Sequence, residues 1–159
     1  MSVPESILRC KSKEFAKQIV FLCRSIKTAS KESVLTNQLL RSGTSIWANI
    51  HEAQYAQGKK DFISKLEIAQ KECFETEYWL ELLFETGYIA ESTYKPLQNQ
   101  CGAIRRMLIS SLNTAKEDCR WISELKSLPV SHRAAGAILH RVRQHTISHA
   151  ASPHISLFP

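Results

Sequence analysis

No stretch of this 159-residue chain approaches the roughly 20 consecutive apolar residues that span a bilayer, so no transmembrane helix is expected. The opening MSVPESILRCKSKEF sets Glu5 and Lys11 among its apolar residues and lacks a signal peptide's unbroken apolar core. A cytoplasmic protein without membrane contact is therefore expected. Glycine and proline are scarce, five each, which leaves long segments without helix breakers. Cysteine is sparse and scattered: Cys10, Cys23, Cys73, Cys101 and Cys119 form no CxxC pair, which argues against a zinc site or redox couple. They read as small hydrophobes. Acidic residues disappear altogether after Glu124.

What is present is 43% apolar residues, enough for one domain with a real core, and a net charge of +6. The charge is uneven. Residues 1–126 hold all fifteen acids and eighteen of the cations, while the last thirty-three carry Arg133, Arg141, Arg143 and five of the six histidines. Such a balance permits a polyanionic partner.

Apolar residues recur at threes and fours along four segments, and strict alternation is absent. The first runs from about Glu5 to Lys27 and is broken by TASKES (28–33); the second runs from Val34 to about Gln57, with Gly58 as its stop. The third starts near Asp61 and ends before Gly87. The fourth opens after Ser92, with Pro96 in or near its first turn and a stripe from Leu97 through Cys101, Ile104, Leu108 and Ala115 to Cys119 and Ile122. Long amphipathic helices on short connections predict an all-α, antiparallel up-down four-helix bundle over residues 1–126. Residues 127–159 form a basic, His-containing extension outside it, expected to be mobile or partly helical.

On a helical wheel the first helix gathers Arg9, Lys13, Lys17, Arg24, Lys27 and Lys31 into a sector of roughly 80° opposite its apolar side, with no acid in the sector. A solvated face usually mixes signs, so a phosphate-bearing partner is one reading of this stripe. Arg105 and Arg106 are further candidates. Aromatic residues do not interleave with the stripe along the sequence, as they do in single-strand readers. Glu77 falls within the third helix's apolar stripe and needs a basic or hydrogen-bonding partner.

The stretch RSGTSIWANIHEA (41–53) looks like an active-site inventory when read in a line. Wound into a helix, Leu35, Leu39, Gly43, Ile46, Ile50 and Ala53 form a core seam whose small residues permit close helix approach. Arg41, Ser45, Asn49 and Glu52 form a separate polar band. Arg41 and Glu52 lie about 16 Å apart along the axis, so each needs a partner on another helix or subunit, or solvent. Ser45 has no histidine at helical spacing, and in His51-Glu52 the second histidine of HExxH is replaced by Tyr55. Neither hydrolase nor metal chemistry is expected, and no cofactor. Trp47, Leu40, Tyr78 and Trp79 lie off the core stripes, which suggests association.

LLRSGTSIWANIHEA, followed by DFISKLEIAQKECFETEYWLELLFETGYI, resembles the bacterial four-helix-bundle family of proteins encoded in intervening sequences of 23S rRNA genes. The accessory variability protein of diversity-generating retroelements looks like a related branch. The resemblance covers residues from about 8 to 120. It implies a homopentameric ring, and in the retroelement branch a basic ring that binds nucleic acid and docks on a reverse transcriptase. No catalytic residues come with it. Arg41, Ser45, Asn49, Glu52 and Glu77 match the family's pattern, whereas Trp47 and His51 are bulky where it has small residues. Two functions follow as expectations: a non-enzymatic oligomeric RNA- or DNA-binding protein, or a pentameric scaffold docking a protein partner such as a reverse transcriptase.

Overall fold

The computed structural model describes residues 6–127, and four helices account for nearly all of them: α1 (Ile7–Ser30), α2 (Val34–Ala53), α3 (Lys59–Glu85) and α4 (Glu91–Ser127). Among the described residues there is no strand, and the architecture is the expected all-α four-helix bundle. Two units are distinguished along the chain, Met1–Lys116 and Glu117–Pro159. The bundle core belongs to the first. The described part of the second is the last stretch of α4, where Ile122 is exposed, so the apolar stripe does not persist as far as its periodicity suggests. The expected mobile or partly helical extension lies outside the described residues beyond Ser127.

Cross-helix pairs fix the direction of each neighbour. Arg9 meets Gln54 while Lys27 meets Asn37, so α1 and α2 run antiparallel. Arg41 meets Glu72 and Glu75 while Glu52 meets Lys65, which sets α3 antiparallel to α2. Glu77 pairs with Arg105 and Glu67 with Lys116, giving the same relation between α3 and α4. Gln100 Nε2 donates to Gln18 Oε1 at 3.1 Å and closes α4 onto α1.

Helix ends explain where the boundaries depart from expectation. Ser6 caps α1, its hydroxyl accepting from the Arg9 amide. Ser33 precedes α2 without a side-chain cap; instead the Glu32 carboxylate accepts from the amides of Val34, Leu35 and Thr36. Desolvation raises the Glu32 carboxyl, but these backbone bonds outweigh it and hold it below its ordinary value. Gly58 does not stop α2, which ends at Ala53; it is the N-cap of α3, and Asp61 reaches back from the first turn to the Gln57 amide. Pro96 sits in the second turn of α4, where its missing N–H falls on an exposed part of the helix. Gly87 ends α3 in a left-handed conformation (φ 79°), with the Tyr88 amide bonded to the Leu83 carbonyl and its own amide to Phe84.

Phe15, Ile19, Leu39, Ile46, Leu80, Leu83, Ile104 and Leu108 are fully buried and form the centre of the core, with Cys23, Cys73 and Cys101 filling small gaps. Four buried hydroxyls donate to carbonyls three or four residues earlier: Ser12 to Arg9, Thr36 to Glu32 just ahead of its helix, Ser42 to Leu39 and Thr76 to Glu72. Thr76 also donates to Ser42 Oγ at 3.0 Å and ties α3 to α2 inside the core.

α1 and α2 approach each other closely at Gly43. A Cβ placed there would stand 2.9 Å from Ile19 Cγ2 and 3.0 Å from Cγ1, atoms of a fully buried, β-branched side chain that cannot swing away. Gly102 of α4 differs: its nearest neighbour would be the flexible Arg106 Nη1, at 3.4 Å. Alanine in place of a helical glycine gains up to about 1 kcal/mol of propensity, whereas overpacking a core costs about 1–3 kcal/mol. Urea denaturation should therefore show G43A less stable by about 1 kcal/mol and G102A unchanged or more stable by up to about 1 kcal/mol.

Candidate nucleic-acid interface

α1 buries Phe15, Ile19, Cys23 and Ile26, and this turns its cations outward. The helix carries Arg9, Lys11, Lys13, Lys17, Arg24 and Lys27 against one acid, Glu14. Packing on α2 lays several of them along the α1–α2 seam. Arg9 Nη1 donates to Gln54 Oε1 at 2.9 Å, Lys13 Nζ lies 5.9 Å from the Trp47 ring centroid, and Lys27 Nζ donates to Asn37 Oδ1 at 2.5 Å. Arg24 and Lys27 flank a groove of about 400 Å³ that Val20, Cys23 and Leu40 also line. From Arg9 to Lys27 the row spans about 27 Å at 1.5 Å per helical residue.

Two members of the expected stripe behave differently. Lys17 Nζ lies 2.5 Å from Glu14 Oε2, because a residue three positions earlier reaches into the sector although it is not on it. Lys31 is past the last helical residue: it is the C-cap, at φ 58°, and its position no longer follows the wheel. Arg105 and Arg106 stand apart on α4. Arg105 Nε bonds Glu77 Oε1 at 3.1 Å and its guanidinium lies 4.9 Å from the Phe74 ring centroid, while Arg106 is exposed over Gly102.

Aromatic residues that do not interleave with the stripe along the sequence are nevertheless brought beside one of its members by the helix pairing. Trp47 and His51 stack with ring centroids 5.4 Å apart and planes 15° apart, and Tyr55 sets its ring edge-on to His51, also at 5.4 Å. Lys13 Nζ lies over the Trp47 ring. The four residues share a surface although more than thirty positions separate Lys13 from the aromatic run. The i, i+4, i+8 spacing of Trp47, His51 and Tyr55 was the available signal. Their nearness to α1 required the helix pairing.

The two charges of the α2 polar band find their partners within the same chain, on α3, while its amide bonds back within α2. Arg41 pairs with Glu75 and lies 3.7 Å from Glu72; Glu52 meets Lys65 at 2.5 Å; Asn49 Nδ2 donates to the Ser45 carbonyl at 2.9 Å. Trp79 Nε1 donates to Glu75 at 3.1 Å. Burial raises the carboxyl of Glu72, which Arg41 only partly offsets, whereas at Glu75 the bonds from Trp79 and Arg41 overcome desolvation and lower it. Glu77, the acid within the apolar stripe, is satisfied by Arg105, with side chains 16% and 28% exposed. Among the described residues no group of His, Cys, Asp or Glu is arranged to hold a metal ion. Burial pushes the Cys23 thiol up to about 11, and hydrogen bonding to Cys73 together with burial raises Cys101, so both stay protonated at neutral pH.

The two α3–α4 ion pairs differ in burial, and so in worth. R105M leaves a half-buried carboxylate unpaired and should cost about 1–3 kcal/mol in urea denaturation, whereas K116M, in an exposed pair with Glu67, should cost at most about 0.5 kcal/mol.

None of the helices among the described residues is long and apolar enough to cross a membrane. The family model of the 23S rRNA-intervening sequence protein matches residues 5–110, which take in α1, α2, α3 and α4 as far as Ser110. The crystal structure of a protein of unknown function from the S23 ribosomal protein family of Bacteroides thetaiotaomicron is 50% identical and superposes with a TM-score of 0.66. The alignment covers 67% of this chain and 98% of that one. No curated protein matches the chain. With two thirds of its length matched by the family model and a solved relative at half identity, the chain belongs to the 23S rRNA-intervening sequence protein family.

Proposed function

We propose that this protein is a non-enzymatic, oligomeric nucleic-acid-binding protein that holds RNA or DNA mainly by its phosphates. The observation that carries the reading is the cation row of α1 along the seam with α2. Six cations and one acid share that helix, and side by side the cations repel one another by a few tenths of a kcal/mol per pair. Phosphates would relieve that repulsion and release counterions on binding. Arg105 is engaged with Glu77, which makes it a weaker candidate for phosphate than Lys13 or Arg24.

A second reading, a homopentameric scaffold that docks a protein such as a reverse transcriptase, has its own support. Phe74 and Tyr78 are 51% and 55% exposed on α3. The resemblance to accessory variability proteins read from the sequence implies the same assembly. Both readings take the oligomer as a pentamer, which for an 18.1 kDa chain has a mass near 90 kDa.

An electrophoretic shift with a structured RNA across a salt series tests the first reading. About five phosphate contacts, at ~0.7 to 0.9 each, correspond to a slope of about −3.5 to −4.5 in log affinity against log salt. The triple reversal K13E/K17E/R24E should abolish the shift while circular dichroism stays helical. Affinity that is flat with salt and indifferent to the reversal would sink the reading. Under the scaffold reading the same triple variant keeps its protein partner in pull-down, and light scattering still reports the pentamer.

A further inference from the structure

The phosphate reading leaves the row of aromatic side chains on α2 without a role. Trp47 is half-buried, yet unlike Trp79 it is not among the partly buried side chains packed on the core. Its Nε1 and the Nδ1 of His51 are shielded from solvent with no hydrogen-bond partner among the described residues. Buried donors and acceptors are nearly always satisfied, so a stack that orphans two of them is not there to stabilise the bundle. At its end stands Tyr55, just past the helix and 74% exposed. Gln54 beside it offers amide groups, and Lys59 and Lys60 follow within five positions.

We propose that the row Trp47–His51–Tyr55 is a stacking platform for unpaired nucleobases, so that the protein prefers single-stranded or looped nucleic acid to duplex. The proposal rests on the phosphate-binding reading above and adds the class of ligand. Base-on-aromatic stacking requires an open ring face beside cations that track the backbone. Tyr55 supplies the open face, and Arg9 and Lys13 lie alongside. The contact of Lys13 with Trp47 is weak at an exposed site, so a phosphate competes for its ammonium and uncovers the indole. A duplex hides its base faces inside the helix and gains from the cations alone.

Fluorescence anisotropy with labelled oligouridylate, oligodeoxythymidylate and a duplex of the same length tests this on the full chain. The wild type should bind one or both single strands more tightly than the duplex. Y55A should weaken single-strand binding roughly tenfold and leave duplex binding within about twofold, since stacking is worth a factor of that order per base. H51A should act in the same direction, and Y55F should restore wild-type affinity because the ring remains. Tyr55 is exposed and outside α2, so its replacement does not threaten the fold. Equal losses on single strand and duplex, no loss on either, or a preference for duplex would overturn the platform. If K13E/K17E/R24E abolishes binding while Y55A and H51A change nothing, only the platform falls. If no probe binds, or the triple reversal has no effect, the phosphate reading falls with it.

Discussion

Everything on the candidate surface depends on how closely α1 lies on α2. At Gly43 the two helices approach so tightly that even a methyl group would press on Ile19. Helix separation follows the size of the residues at the crossing, and a glycine opposite a β-branched residue draws the axes together. That approach brings Lys13 to Trp47, Arg9 to Gln54 and Lys27 to Asn37. With a larger residue at position 43 the cations of α1 and the polar and aromatic edge of α2 would be two separate surfaces.

The opposite side of α2 is secured differently. There the close packing is supplemented by polar locks to α3: a buried hydroxyl pair, Ser42 with Thr76, and the Arg41 guanidinium between Glu72 and Glu75. Hydroxyls bonded to carbonyls of their own helices leave few buried polar groups to satisfy, so the seam stays tight without orphaned donors. The arrangement accounts for the inventory in RSGTSIWANIHEA. Ser42, Arg41 and Glu52 hold α2 to α3, and Gly43 lets α2 lie close on α1. The aromatic row from Trp47 to Tyr55 is the part that neither seam uses.

Much of the fold was legible because helical periodicity is a local property. Leu39, Gly43, Ile46 and Ile50 declare one buried line, and the same period in the other segments separates core from surface. The need of Glu77 for a partner was equally plain, since a carboxylate on an apolar stripe is costly alone; that the partner is Arg105 was not. Boundaries were less legible. Gly58 reads as a C-terminal stop, but a glycine serves either end, and here the extended backbone at that residue opens α3. Lys31 was placed on the cation stripe because a wheel assumes the helix continues, and a single left-handed residue ends that assumption.

The sequence by itself determined the apolar line that most of each helix buries, how many helices form and that α1 is overwhelmingly basic, because each follows from spacing within one segment. Only the tertiary structure decided which groups share a surface. Arg41 acquires Glu75, Arg105 acquires Glu77, and Lys13 meets an aromatic row that stands thirty-four residues away in sequence. Such pairings depend on helix direction, register and axial separation, which are set by packing between segments and leave no trace in the period of any one of them.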